Sequence, residues 1–267
     1  MKHLSSLMPS VIFPLMLGWL ILLIIPGILF VSDASLFPWL SLDSTTAEAL
    51  FWITSTGTAP YGVASVLLIL LLSYRRLERA RFFSLFLAIS LSMCTTLGLN
   101  HYLKPFFNEA RPNAVWLDQH YLLNTDSFYT LSKAERKELM MTAVNQIEFA
   151  DTELTLAPLV KQHWQHEIGF AFPSGHTLFA ITLTMVASYY LLIAGNIWIP
   201  SLLFGWSIAM GFSRMLLGMH WTQDVLASTF LGGIIGLVSL LVIHKIFPYI
   251  GSMANKLLTL WKPIKPS

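Results

Sequence analysis

Residues 11–31 read VIFPLMLGWLILLIIPGILFV, an unbroken run without a single charge. A helix needs roughly 20 apolar residues to cross the hydrocarbon core of a bilayer, so this stretch is long enough to span one. It exceeds the apolar core of a signal peptide, and no small-x-small cleavage site follows before Asp33. We therefore read it as a retained first span.

Five more runs of similar size follow, bounded by charges or turn residues, at about 54–74, 82–103, 174–194, 197–217 and 225–247. The expected fold is all-α: a polytopic membrane bundle of six transmembrane helices, forming a single domain over 1–267 with a partly helical outer insertion at about 104–173. Composition agrees. The chain is 55% hydrophobic, 11% charged and has a mean hydropathy of +0.65, whereas soluble domains carry about 25% charged residues.

Orientation follows from charge, because Lys and Arg near span ends are retained on the cytoplasmic side. One set of connections holds Lys2, the turn RRLERAR (Arg75, Arg76, Arg79, Arg81) and the tail lysines Lys245, Lys256, Lys262 and Lys265; Glu78 is its only acid. The opposite set holds Asp33, Asp43 and Glu48, the long insertion and a short loop near 218–224. Both termini are thus expected inside and these three loops outside. Cys94, the only cysteine, falls within the third span and permits no disulfide framework. No Gly-rich nucleotide loop is present, and a net charge of +2 argues against nucleic-acid binding.

Three polar clusters interrupt the apolar pattern, all at the expected outer ends of spans: KPFFNEARP (104–112), PSGH (173–176) and SRMLLGMHWTQD (213–224). Lys104, Arg111 and Arg214 are cations at a membrane boundary, which is costly without an anionic partner. Phosphate suits them, since guanidinium forks grip two oxygens and an ammonium adds a point charge. Ser174 and Gly175 open the fourth span, whose unpaired first-turn amides favour an oxyanion. His176 and His220 can divide the roles of general acid and nucleophile. Asp224 follows His220 by four residues; in a helix the two share a face, so the carboxylate can hold one ring nitrogen and leave the other free to attack phosphorus. His176, without such an acid, is the candidate to protonate the leaving alkoxide and then activate water. No metal and no cofactor is needed for this chemistry.

The spacing Lys104-x6-Arg111-Pro112, Pro173-Ser174-Gly175-His176 and Ser213-Arg214-x5-His220-x3-Asp224 resembles the three-part signature of the type 2 phosphatidic acid phosphatase superfamily, and every signature position is matched. FYTL (128–131), HWQHEIGFAFPSGH (163–176), SRMLLGMHW (213–221) and the long gap between the first two motifs are similar to its bacterial phosphatidylglycerophosphate-hydrolysing branch. The resemblance implies a metal-independent phosphatase of six spans in the bacterial cytoplasmic membrane. It would act on phosphatidylglycerophosphate, and often on phosphatidic acid or undecaprenyl diphosphate.

Other readings are weaker. His176, His220 and Asp224 could be Zn ligands, but three neighbouring cations would repel a metal. A transporter or non-catalytic lipid-phosphate binder has no need of a nucleophile with an orienting acid. Haloperoxidase-like vanadate chemistry uses the same cage, but in soluble relatives. His163 and His166 read as interfacial polar residues, and Glu167 as a candidate contact to substrate or to the cage. Residues 132–149 read as an amphipathic helix opened by a Ser132/Glu135 capping box, either a packed lid or a gate at the membrane surface. Trp39, Trp52, Trp116, Trp164, Trp198 and Trp221 read as interfacial belts.

Overall fold

The computed structural model describes residues 9–150 and 152–260, with side chains described as far as residue 246. Of the lysines used for orientation, Lys2, Lys262 and Lys265 lie outside the described residues, and Lys256 is described by backbone only. The long elements are α1 (Pro9–Val31), α2 (Thr45–Ser55), α3 (Tyr61–Tyr74) and α4 (Arg79–Phe107). After them come α5 (Pro112–Gln119), α6 (Thr125–Phe128), α7 (Lys133–Gln146) and α8 (Pro158–His166), and then α9 (Gly175–Ile193), α10 (Trp198–Leu216) and α11 (Thr222–Leu260). Among the described residues no strand occurs.

Four helices, α1, α4, α9 and α11, are long and apolar enough to cross a membrane. The other two expected spans differ from that description. Residues 54–74 are not one helix: α2 ends at Ser55, TGTAP (56–60) breaks the path, and α3 begins at Tyr61. Pro60 has no N–H to donate, and the residue before a proline is pushed out of the helical region. The 14 residues of α3 measure about 21 Å, short of a core about 30 Å thick. Residues 197–217 do form one helix, α10, but Ser201, Ser207, Ser213 and Arg214 dilute its apolar character.

α9 is the pivot of the bundle. It is buried along most of its length, packed by α4, α10 and α11, whereas α1 is buried along little more than a quarter. Phe13, Leu20, Ile24 and Ile28 of α1 accordingly point outward, as do Val63, Leu67 and Leu71 of α3. Apolar surface facing outward on a helix is costly in water and neutral in lipid, which fixes the solvent these faces require. Cys94 of α4 is also exposed. In lipid, helix association depends on close packing more than on burial, so small residues are used where backbones meet. Gly232 and Gly236 of α11 fill that role. A Cβ at these positions would stand 2.9 Å from the Cβ of Ile181 and 2.8 Å from that of Met185.

A second hydrophobic core lies at one end of the bundle. Ala47 of α2, Phe128, Met140, Ala143 and Val144 of the insertion, and Trp164 of α8 pack onto Leu217 and Met219 of the α10–α11 turn. α7 carries the expected capping box, with the Ser132 N–H donating to Glu135 Oε2 at 2.8 Å and the Glu135 N–H to Ser132 Oγ at 3.4 Å. Its buried Met140, Ala143 and Val144 make it a packed part of this cap.

Trp164 is not a belt residue. It is fully buried, donates Nε1–H to the Leu217 carbonyl at 2.9 Å and meets Phe37 edge-on with centroids 5.9 Å apart. Truncating a buried Trp costs about 3–5 kcal/mol, so Trp164→Ala is expected to lower the melting midpoint in detergent by roughly 10 °C. A thermal scan with an unchanged midpoint would show that the cap core does not support the bundle.

Candidate active site

Each motif is a helix boundary, and the boundary chemistry explains its spacing. α4 ends on Asn108, which takes a left-handed conformation (φ 50°) and donates its N–H to the Lys104 carbonyl at 3.1 Å. Asn tolerates that region better than most residues. Three residues on, Arg111 is the N-cap of α5, with Pro112 at its first position. Lys104-x6-Arg111-Pro112 is thus a helix end, a turn and a helix start, which leaves both cations at the same end of the bundle.

In the third motif, α10 closes with a Schellman cap. The Gly218 N–H donates to the Met215 carbonyl at 3.1 Å and the Met219 N–H to the Arg214 carbonyl at 2.9 Å. Gly218 sits at φ 69°, and an added Cβ would come within 2.9 Å of the Phe37 ring, so both the turn and its packing require glycine. The reversed chain brings the His220 N–H to 3.1 Å from the same Arg214 carbonyl. The x5 gap between Arg214 and His220 is the length of this cap.

His220 lies in the turn, not in a helix, contrary to the helical pairing expected with Asp224. The contact forms all the same, because Asp224 occupies the first turn of α11 and reaches back. Its Oδ2 accepts from the Trp221 N–H at 2.9 Å and stands 3.2 Å from His220 Nδ1. Ser174 is the N-cap of α9, but its hydroxyl meets Thr177 Oγ1 at 3.0 Å instead of capping the backbone. The first-turn amides after it therefore have no acceptor within the helix. Trp221, also expected in a belt, donates Nε1–H to the Ala110 carbonyl at 2.8 Å and ties the third motif to the first.

These segments surround a cavity of about 600 Å³. Lys104, Arg111, Glu167, Gly175, His176 and His220 line its polar end, and Val63, Val66, Met93, Leu97 and Phe179 its apolar end. The apolar end lies between α3 and α4, on the flank where Val63 and Leu97 are exposed. His176, His220, Arg111, Arg214, Ser174 and Asp224 are all buried, and His176 Nε2 has no hydrogen-bond partner among the described residues.

Lys104 and Arg111 are held by backbone carbonyls, and one acid stands beside both arginines. Lys104 Nζ donates to the Phe170 carbonyl at 2.7 Å and Arg111 Nε to the Gly169 carbonyl at 2.7 Å. Glu167 Oε2 lies 2.8 Å from Arg111 Nη2 and 3.7 Å from Arg214 Nη2. Burial alone would push the Glu167 carboxyl up, but Arg111 and then Arg214 outweigh it and hold the group ionised, well below the usual carboxylate range. His220 shifts well below its usual value because burial disfavours the imidazolium, and Arg111, Arg214 and Lys104 add repulsion. The ring is neutral at physiological pH and keeps a nitrogen lone pair available. The strap 167–172 is itself braced: Tyr129 stacks on Phe170 at 5.0 Å and accepts the Arg111 N–H at 3.0 Å, and Arg136 lies over the Phe170 ring, 5.5 Å from its centroid.

The structure thus brings together Lys104, Arg111, Gly175, His176, Glu167 and His220 around one cavity, with Ser174, Arg214 and Asp224 directly behind. Among the described residues, no cluster of three His, Cys, Asp or Glu side chains could hold a metal.

A family model described as the PAP2 superfamily matches residues 83–248, well over half of the chain. The chain belongs to the PAP2 superfamily. Among curated proteins, phosphatidylglycerophosphatase B of Escherichia coli strain K12 is 33% identical over 220 residues, covering 79% of this chain and 81% of that protein. Phosphatidylglycerophosphatase B of Haemophilus influenzae is 30% identical over 202 residues, covering 72% and 81%. This PAP2 protein is a lipid phosphatase, and its apolar helices fit a multi-pass membrane protein with a membrane lipid as substrate.

Two contributors to the site were not recognised as such in the sequence. His163 reads there as an interfacial polar residue, yet it is buried with Nε2 at 2.9 Å from Arg214 Nη1. Thr54 Oγ1 accepts from the same nitrogen at 2.5 Å. A signal was available for the first: His163 and Glu167 are four residues apart, the spacing that points to His220 and Asp224. Thr54 carried none, since a threonine near the end of an apolar run is unremarkable in sequence.

Proposed function

We propose that this phosphatase hydrolyses lipid phosphate monoesters, phosphatidylglycerophosphate foremost, through a phosphohistidine at the outer face of the bacterial cytoplasmic membrane. The observation that carries the reading is the single cavity, cationic at one end and apolar at the other, with two histidines at the cationic end. A dianionic headgroup fits the first half and hydrocarbon the second. In this proposal all of 1–267 is one membrane domain of six spans with both termini cytoplasmic: α10, and α3 together with the 54–60 segment that precedes it, complete the four apolar helices.

His220 Nε2 attacks phosphorus in line while Nδ1 is held by Asp224. The P–N bond forms as the ester P–O bond breaks, and His176, an imidazolium once the dianionic phosphate is bound beside it, gives its Nε2 proton to the departing alkoxide. His176 then takes a proton from water, whose oxygen attacks phosphorus and releases His220 and inorganic phosphate. Lys104, Arg111 and Arg214, with the Ser174 hydroxyl and Gly175 amide, balance charge on the equatorial oxygens. Glu167 already places an anionic oxygen against both guanidiniums, and the phosphate displaces it.

The test is phosphate release by the purified protein from phosphatidylglycerophosphate, phosphatidic acid and undecaprenyl diphosphate, each with and without a chelator. Release from phosphatidylglycerophosphate is expected to have the highest kcat/KM and to be indifferent to chelation. Activity lost in chelator and restored by a divalent ion would overturn the mechanism, and a higher kcat/KM for the diphosphate would reassign the substrate.

A further inference from the structure

Arg214 is fully buried, and its five N–H groups are divided unevenly. Nη1 is taken by two acceptors, Thr54 Oγ1 at 2.5 Å and His163 Nε2 at 2.9 Å. Nε and Nη2 have no hydrogen-bond partner among the described residues; only Glu167 Oε2, at 3.7 Å from Nη2, lies nearby. Nε and Nη2 form the side-on edge of the guanidinium, the one that grips two oxygens of a phosphate at once. A buried guanidinium with that edge unsatisfied is costly, so a ligand oxyanion is the natural partner.

We propose that His163, with Thr54, is a positioning residue that occupies Nη1 of Arg214 and so turns its bidentate edge toward the phosphate. The inference rests on the reading of Arg214 as a phosphate ligand and adds what sets its orientation. His163 can fill the role only while its Nε2 accepts, because a protonated ring would offer a second donor to a cation. Burial, then the Arg214 charge, lowers it to about 3, so it accepts at any physiological pH. Its ring is fixed by an edge-on contact with Phe51 of α2, centroids 5.6 Å apart. Thr54 comes from the same helix, and His163 from the last turn of α8.

Both acceptors therefore belong to the end cap rather than to any signature motif. The cap thereby acquires a chemical role, since α2 and α8 hold the phosphate-binding arginine of α10 from behind. Losing α8 from its seat would leave Arg214 charged and its fork free to rotate.

The experiment compares His163→Ala, His163→Phe, His163→Gln and Thr54→Val in the purified full chain, reading kcat, KM and inhibition by orthovanadate. His163→Phe keeps the edge contact with Phe51 and removes only the acceptor. His163→Gln can still accept through its amide oxygen. Losing one hydrogen bond to a charged group is worth about 10- to 100-fold, so Ala and Phe are expected to weaken orthovanadate inhibition and lower kcat/KM by that factor. Gln is expected to recover most of the loss, and Thr54→Val to show a smaller effect in the same direction. A folded His163→Phe protein with unchanged orthovanadate inhibition would overturn the inference, and so would a Gln variant as impaired as Phe. Failure of the underlying reading looks different: removing the guanidinium itself, in Arg214→Ala, would leave orthovanadate inhibition at the parent's level.

Discussion

Alanine at His220 is expected to lower phosphate release by a factor on the order of 10⁴ or more, because on the proposed mechanism the variant loses the covalent route and not merely a contact. The residue is buried beside three cations that repel a proton and beside an acid that fixes one nitrogen, so the remaining nitrogen is neutral and directed into the cavity. No other side chain there combines those features: His176 has no orienting acid, and Lys104 is tied to a carbonyl. Rapid quenching with radiolabelled lipid should trap an acid-labile, alkali-stable phosphoprotein in the parent and none in the variant. Comparable turnover by a folded His220→Ala protein would refute the assignment, whatever the substrate proves to be.

Asp224→Asn should come next, with kcat down about 10⁴-fold and KM little changed, by analogy with removing the orienting carboxylate of a catalytic histidine. Asn preserves the shape and can still accept from the Trp221 N–H. It removes the carboxyl group that can offset the positive charge developing on the ring as nitrogen bonds to phosphorus in the proposed mechanism. In the flipped amide the nitrogen takes the place of Oδ2, gives up the Trp221 N–H and donates to Nδ1, which selects the tautomer whose outer nitrogen carries a proton and cannot attack. The split between kcat and KM is the diagnostic, because a distorted site would raise both costs together. Activity within tenfold of the parent would mean that Asp224 serves only to cap the first turn of α11.

The residues proposed to act through their own charge or hydrogen-bonding groups are legible in the sequence. Lys104, Arg111, Ser174, Gly175, His176, Arg214, His220 and Asp224 stand in short local spacings, and local spacing is where chain geometry is most predictable. Helix-end rules then account for those spacings: the left-handed Asn108, Pro112 after Arg111, Ser174 as N-cap and Gly218 in the Schellman turn. The capping box of α7 was readable for the same reason. The all-helical class followed from uncharged runs that only a helix can bury in lipid.

Tertiary structure decided what local rules do not reach. The break at 56–60 shortened α3, because a proline and a glycine between two apolar stretches matter more than mean hydropathy over the whole run. Trp164 and Trp221 became struts instead of belt residues, since partners at Leu217 and Ala110 are remote in sequence. His163 and Thr54 came into view only when α8 and α2 packed against Arg214, bringing together positions 51 and 160 residues apart from it. The cationic triad, the candidate nucleophile and its acid were thus picked out by sequence alone. Which edge of Arg214 is free, and what holds it there, depends on long-range packing that no local spacing encodes.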